Sequence, residues 1–389
     1  MFSLLLSVIY IAFISLGLPD SLLGSAWPVM FGELGVAVSY AGMISMIISF
    51  GTIVSSLLSD KITRRLGAGL VTAISMALTG FALLGFSLSR SFVFLCILAV
   101  PYGLGAGAID AALNNYVALH YSSRHMSWLH CFWGVGVSIS PYIMGYAIGA
   151  GHGWRMGYGA VSVIQLILTV LIVFSLPLWK KKTATDPTDE NYEAPITLRD
   201  AVKIRGVKPI LLAFFAYCAF ESTAGLWAST YLVEYKGIDV ETAAKFASLF
   251  YLGITFGRFL CGFIADKLGD KALIRIGSAV MLTGVILIIL PFTPTFFALA
   301  GLVIAGLGAA PVYPSVIHST PSHFGKQNSH AIVGIQMASA YTGTTLMPPL
   351  FGLIAQHISV SLYPFYLVIF VVLTFVMTEV VNRVTCNKI

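Results

Sequence analysis

The sequence predicts an all-α polytopic membrane protein, with twelve transmembrane helices in two pseudosymmetric six-helix bundles, and three observations carry that prediction. The 389 residues are 58% hydrophobic and only 10% charged, against roughly 45–50% and 25% in soluble domains, so polar surface is too scarce to face water all round. Apolar runs of about 20 residues or more recur twelve times between charged or turn-forming clusters. The charged loop that follows the second run returns after the eighth. An ordinary soluble enzyme is thereby excluded. The net charge of +6 does not point to nucleic acid, because the 22 Lys and Arg sit between apolar runs, where they act as topology signals.

The predicted spans are 3–30, 39–59, 67–88, 92–119, 127–149, 156–179, 208–234, 242–265, 272–292, 295–319, 329–356 and 361–382. The first opens on apolar MFSLLLSVIY and runs past signal-peptide length, which makes it a retained span. Pro19, with Gly17 and Gly24 flanking, predicts a bend there. Span two ends in the charged run Asp60-Lys61-Ile62-Thr63-Arg64-Arg65. Span four carries Gly103, Gly105 and Gly107. With no strand before them they are expected to pack helices closely, not to form a dinucleotide loop. Pro311, Pro314, Pro348 and Pro349 mark bends in spans ten and eleven. Between spans six and seven, residues 180–208 hold 12 of the chain's Asp, Glu, Lys and Arg. The expected organisation is therefore an N-terminal bundle over 1–179, a cytoplasmic linker over 180–207 and a C-terminal bundle over 208–389. Cys96, Cys131, Cys218, Cys261 and Cys386 show no CxxC spacing and read as reduced packing residues.

Orientation follows from the basic residues. If even-to-odd loops face the cytoplasm, that side collects 17 of the 22 Lys and Arg, while the other keeps Arg90, Arg155, Lys236 and Lys245. Both termini are then cytoplasmic, and the expected location is the cell inner (plasma) membrane.

The repeated loop aligns without a gap. Ser56-Leu57-Leu58-Ser59-Asp60-Lys61-Ile62-Thr63-Arg64-Arg65 matches Gly262-Phe263-Ile264-Ala265-Asp266-Lys267-Leu268-Gly269-Asp270-Lys271. This GxLaDrxGrr pattern, present in both halves of a twelve-span chain, resembles the signature of the major facilitator superfamily, and Gly153-Trp154-Arg155 is similar to it as well. The first copy carries Ser56 and Thr63 where glycine is usual, so close helix approach is expected around Gly262 and Gly269 instead. Within the superfamily the chain is most similar to the fucose-permease-like branch of sugar:proton symporters. Asp20 sits where that branch has a span-one aspartate, and Asp110-Ala111-Ala112-Leu113-Asn114-Asn115-Tyr116 resembles its Glu-x-x-x-Asn-Pro-Tyr segment. Aspartate replaces glutamate and Asn115 replaces proline, so the sugar's identity is not carried over.

Four charged side chains fall inside spans: Asp20, Asp110, Glu221 and Arg258. Each costs on the order of 2.5–3.5 kcal/mol at a helix centre, so such groups tend to face a cavity or a partner. Gly103, Gly107, Asp110 and Asn114 recur at helical spacing and are expected to line a cavity, with Asp110 taking and releasing a proton. Asp20 is the second proton-coupling group that the resemblance implies. Tyr217 and Glu221, one turn apart with Trp227 beyond, suit a sugar through ring stacking and hydroxyl bonds; the competing reading pairs Glu221 with Arg258. Asn114, His130 and Gln336 complete the substrate-binding candidates, with Gln165 and Tyr341 as further polar or aromatic groups in spans. Packing is the alternative for each. Arg258, two turns before Asp266, is expected to snorkel partly toward the inner face or, if it points inward, to form an ion pair that breaks during transport. Asp60, Arg64, Asp266 and Arg258 are assigned as conformational latches, each Asp bonding basic side chains or a neighbouring helix N-terminus.

No HExxH, presenilin-type Gly-x-Gly-Asp or GxxxxGK[ST] motif occurs, so neither an intramembrane hydrolase nor an ATP-driven pump is expected, and no catalytic residue or metal site is assigned. The expected activity is secondary active transport of a small polar solute, a sugar first, by proton-coupled symport with alternating access. Gly136, Ser140, Pro141 and Gly145 resemble a degenerate form of the glycine-proline stretch of drug:proton antiporters, so export of an amphipathic compound is the alternative. Expected partners are the small-molecule substrate and the lipid bilayer, with protons as coupling ion, no cofactor, and a functional monomer.

Overall fold

The computed structural model describes residues 4–37, 40–179, 196–238, 240–290 and 295–385. Most of the linker, with Lys180 to Lys182, lies outside these residues, as do Cys386 and Lys388. Among the described residues there is no strand. The helices are α1 (Leu4–Gly17), α2 (Leu22–Leu34), α3 (Tyr40–Leu66), α4 (Ala68–Leu88), α5 (Phe92–His120), α6 (Ser123–Gly149), α7 (Gly153–Trp179), α8 (Leu198–Ala201), α9 (Val207–Glu234), α10 (Val240–Ile289), α11 (Thr295–Ala309), α12 (Val312–His318), α13 (Thr320–Phe324), α14 (Lys326–His357) and α15 (Tyr363–Thr385). Ten stretches among the described residues are long and apolar enough to cross a membrane. One of them, Leu249–Ile289, covers two predicted spans joined across Gly269, and the 32-residue α14 accounts for the eleventh. Their outer faces stay apolar, with Phe174 80% and Phe50 70% exposed, which only a lipid solvent makes inexpensive.

The chain divides into two compact units. The first comprises Met1–Tyr116 and Leu129–Pro195, and the second comprises Val117–Trp128 and Ile196–Ile389. The tip that joins α5 to α6 thus belongs with the second unit. Within the first unit α4 lies along α7, and within the second α10 packs on α11 while α9 packs on α14 and α15.

Three local features explain where helices stop. The first span is interrupted between Gly17 and Leu22, because Pro19 withholds an N–H donor, and this leaves Asp20 in the gap. α3 continues past its predicted end at residue 59 through the charged run to Leu66. Asp60 and Arg64, one turn apart and 2.8 Å from each other, support the helix there. The breaks themselves fall on glycines with positive φ: Gly67 (φ 77, ψ 153), Gly269 (φ 75, ψ 159) and Gly325 (φ 86, ψ 147). A side chain is strained in that region. By backbone, Gly67 is the counterpart of Gly269, four positions beyond the residue a gapless alignment pairs with it. Gly269 therefore serves conformation and not close approach, since a Cβ there would meet nothing within 4 Å. Gly262 does mark a close approach, to the Trp128 indole.

Candidate functional site

In the first unit, α5 presents Asp110 and Asn114 one turn apart, and both are buried, at 4% and 0% exposure. Asn114 Nδ2 donates to Asp110 Oδ1 at 2.7 Å and to the Asp110 carbonyl at 3.0 Å. On its other side Asn114 Oδ1 lies 2.9 Å from His130 Nε2, so a buried polar chain runs from α5 to α6. Phe13 of α1 meets the His130 ring edge to face. One turn along α6 from His130, Trp133 Nε1 donates to Asp20 Oδ2 at 2.9 Å. That contact exists because α1 and α6 cross backbone to backbone at two glycines. A Cβ on Gly17 would strike the Trp133 carbonyl, and one on Gly136 would strike the Ile14 carbonyl. Asp20 is exposed, Asp110 is buried, and the two carboxylates are near enough to interact electrostatically.

The glycine face of α5 differs from its expectation. Gly103 and Gly107 meet the α3 backbone at Ile48 and Thr52, and Gly105 meets Ser75 of α4. Thr52 Oγ1 donates to the Gly103 carbonyl and Ser56 Oγ to the Gly107 carbonyl, both at 3.2 Å. At its glycines that face meets a helix and not open space. Missing side chains admitted a helix instead of water, as the close-packing expectation for these glycines implied. Gln165 is likewise internal, accepting from Ser15 at 2.7 Å and donating to Thr79 at 2.8 Å.

In the second unit, Arg258 is 2% exposed and pairs with Glu221 through its NH2 group at 3.4 Å, with the Tyr313 ring 5.8 Å from the guanidinium. The expected snorkelling does not occur. A carboxylate on α9 meets the charge inside the unit, which offsets the desolvation that would otherwise drive it to the interface. Arg258 is therefore an internal ion-pair partner of Glu221, as the competing reading had it. The sugar-stacking arrangement around Glu221 also dissolves. Tyr217, fully buried, donates its hydroxyl to the Ala309 carbonyl at 3.0 Å, and Trp227 donates to the Pro348 carbonyl at 3.0 Å while packing on Phe351. Gln336 is fully buried and accepts from Thr320 Oγ1 at 3.0 Å. Tyr217 and Trp227 are engaged in helix packing in this conformation. Each reaches a carbonyl on an adjacent helix, which satisfies the tip without a ligand, whereas the buried Nε2 of Gln336 has no hydrogen-bond partner among the described residues.

A third cluster gathers around the 117–128 segment of the second unit. Asp266 accepts from the Arg124 backbone N–H at 3.0 Å and from Ser122 Oγ at 3.2 Å, and pairs with Arg124 Nε at 2.7 Å. A carboxylate thus sits on the N-terminus of α6. Asp270 accepts from Ser123 Oγ at 2.6 Å and lies 2.6 Å from His318 Nδ1, while His318 Nε2 is 3.1 Å from the Tyr121 carbonyl. By contrast, Asp60 pairs with Arg64 on its own helix.

Sequence reasoning missed His318 as a member of this cluster, because its partners come from α10 and from a turn 197 residues away. It also missed Glu33, which binds Arg155 at 2.6 Å and Trp154 Nε1 at 2.9 Å. The signal for that pair was available. Arg155 is one of four basic residues in the loops that carry few of them, and Glu33 is an isolated acid at the end of span one.

A family model described as Major Facilitator Superfamily matches residues 9–332 and 210–382. The cis,cis-muconate transport protein of Acinetobacter baylyi is 24% identical, over 85% of this chain and 82% of that protein. The hexuronate transporter of Bacillus subtilis is 24% identical, over 68% of this chain and 66% of that protein. Among solved structures, FucP in the outward conformation superposes with a TM-score of 0.80 at 14% identity, covering 97% of this chain and 98% of FucP. A second FucP structure, described as the E. coli fucose:proton symporter, gives 0.76 at 16% identity, covering 96% of this chain and 97% of that one.

Proposed function

The chain belongs to the Major Facilitator Superfamily, and from that premise we propose that it is a secondary active transporter carrying a small polar solute, a sugar or sugar derivative, by proton-coupled symport with alternating access. It is a multi-pass membrane protein of a transporter family, not an enzyme. The observation that carries the finer proposal is the placement of an exposed Asp20 and a buried Asp110 on two hydrogen-bonded groups that reach α6 one turn apart, Asp20 through Trp133 and Asp110 through Asn114 and His130. A carboxylate at membrane depth is costly unless it is paired or used, and a group that exchanges a proton repays that cost through function. Asp20 and Asp110 are the proposed proton carriers. The membrane assigned is the cell inner membrane, with both termini cytoplasmic, on the distribution of Lys and Arg.

A second reading concerns the solute's charge. Arg258 is a buried guanidinium whose partner Glu221 stands at the long end of ion-pair distance, and the names of two relatives refer to muconate and hexuronate. A carboxylate on the solute suits such a residue. The test is reconstitution into proteoliposomes under an imposed proton gradient with a panel of radiolabelled sugars and sugar acids. Symport predicts gradient-driven accumulation that Asp110→Asn abolishes while counterflow survives. Accumulation indifferent to the gradient rejects proton coupling, and gradient-driven loss from preloaded vesicles assigns export instead.

A further inference from the structure

We propose that His130 is a positioning residue for Asp110, acting through Asn114: the hydrogen on His130 Nε2 turns the Asn114 amide so that it donates to the Asp110 carboxylate, and the amide reverses when Asp110 is protonated. This deepens the proton-carrier reading of Asp110 and rests on it. The argument is one of donors and acceptors. A carboxylate only accepts, so the amide group 2.7 Å from Asp110 Oδ1 is the NH2 end, and its second hydrogen goes to the Asp110 carbonyl at 3.0 Å. The opposite end of Asn114 is then its oxygen, which only accepts, and the His130 Nε2 that lies 2.9 Å away carries a hydrogen.

Protonation of the Asp110 oxygen that faces Asn114 inverts the side-chain bonds, and the bond to the Asp110 carbonyl is given up. The carboxyl O–H then donates to Asn114 Oδ1, the amide NH2 swings to His130 Nε2, and the imidazole, 5% exposed, releases its Nε2 hydrogen to solvent and takes one from solvent at Nδ1. Asn114 fits such a two-position role because it is fully enclosed, so neither end of its amide has water as a substitute partner. The neighbouring elements are compatible. α1 contributes the apolar ring of Phe13 against His130, α3 contributes the neutral hydroxyls Thr52, Ser55 and Ser56 beside Gly107, and the charged group that interacts with Asp110 from the α1–α2 gap is Asp20, itself near Tyr102. His130 therefore belongs to the proton machinery, where sequence had offered it as a substrate ligand.

The test reads Asp110 without any solute. The carboxyl C=O infrared band of the purified full-length protein is assigned to Asp110 by its disappearance in Asp110→Asn, then titrated with pH. His130→Leu removes the donor that holds Asn114 toward the carboxylate, so the titration midpoint is expected to move up by about 1 pH unit, the size of a hydrogen bond to a charged group. His130→Gln, which keeps an N–H at the reach of Nε2, is expected to restore the wild-type midpoint. Should His130→Leu fail to fold, 15N NMR of histidine-labelled wild-type protein reads the tautomer directly, with the His130 signal assigned by its loss in His130→Gln. Hydrogen on Nε2 while Asp110 is ionised, moving to Nδ1 as it protonates, supports the proposal. An unmoved midpoint, or a tautomer constant across the Asp110 titration, overturns it while leaving Asp110 as proton carrier. An Asp110 band that never titrates rejects the carrier reading itself.

Discussion

Replacing Glu221 by glutamine removes the counter-charge of Arg258 and changes side-chain volume little. The pair is 3.4 Å apart, with the Arg258 side chain 3% and the Glu221 side chain 15% exposed. At an effective dielectric constant of about 20, the gross attraction at this separation is ~5 kcal/mol, in line with the ~3–5 kcal/mol lost when one partner of a buried pair is deleted. For a folding unit of this size, 1 kcal/mol moves Tm by roughly 2–4 °C, so Glu221→Gln is expected to lower Tm by about 10 °C. The double variant Glu221→Leu/Arg258→Met, which removes both charges and keeps the volume apolar, should return to within roughly 4 °C of wild type. Heat-induced labelling with a thiol-reactive fluorophore supplies the assay, because Cys218 and Cys261 are buried thiols three residues from Glu221 and Arg258. A drop below about 2 °C in the single variant, or a double variant no better than the single, refutes the reasoning that the charge is held by its partner.

Three further outcomes follow from the geometry. Gly136→Ala drives a methyl into the Ile14 carbonyl and should cost ~2 kcal/mol, whereas Gly145→Ala on the same helix meets nothing and should gain up to ~1 kcal/mol, both read from thermal unfolding. Both His318 ring nitrogens face acceptors, the Asp270 carboxylate and the Tyr121 carbonyl, with Asp266, Lys271, Arg124 and His323 on the surrounding elements. Only the protonated imidazole donates to both, so His318→Leu should speed amide exchange across residues 117–128 by about tenfold, and wild type should show the same trend as pH rises through the imidazole range. Burial lowers the proton affinity of His323, which bonds Thr385 at 2.8 Å; the unfolded chain then binds the extra proton, so stability is lost as pH falls through about 6.5, and His323→Phe should flatten the Tm profile below that value.

What was legible in the sequence follows from what is local. Apolar runs and their charged punctuation placed the helices because lipid imposes length and composition on each span separately. The interruption at Pro19 was readable for the same reason: a missing N–H acts on its own turn. The ends of α3 and α10 were less readable, because an apolar run stops at the membrane whereas a helix stops where a glycine admits positive φ. Gly67 lies seven residues past Asp60 and Gly269 only three past Asp266. Residue chemistry identified Asp20, Asp110, Glu221 and Arg258 as costly and therefore notable. Their partners depended on which helix lay beside which. Arg258 was expected to reach the interface, with Glu221 as its partner only in the competing reading, because a hydropathy pattern does not decide which face of α9 meets it. Tyr217 and Trp227 looked like a sugar platform for a similar reason, since the carbonyls that satisfy them belong to α11 and α14. Asp266 is the instructive intermediate. Its position at a helix end was readable, and its chemistry fits a helix N-terminus, but the choice of α6 and of Arg124 came only with the fold.

The central claim is that solute movement carries a proton by way of Asp110. It is tested most directly by reconstituting the protein in vesicles that hold a pH-sensitive dye and adding sugars and sugar acids one at a time at equal pH on both sides. The account predicts that a transported solute acidifies the lumen as it enters, and that Asp110→Asn lets the same solute exchange across the membrane with no change in luminal pH. Entry of labelled solute into wild-type vesicles without luminal acidification, or acidification undiminished in Asp110→Asn, contradicts it.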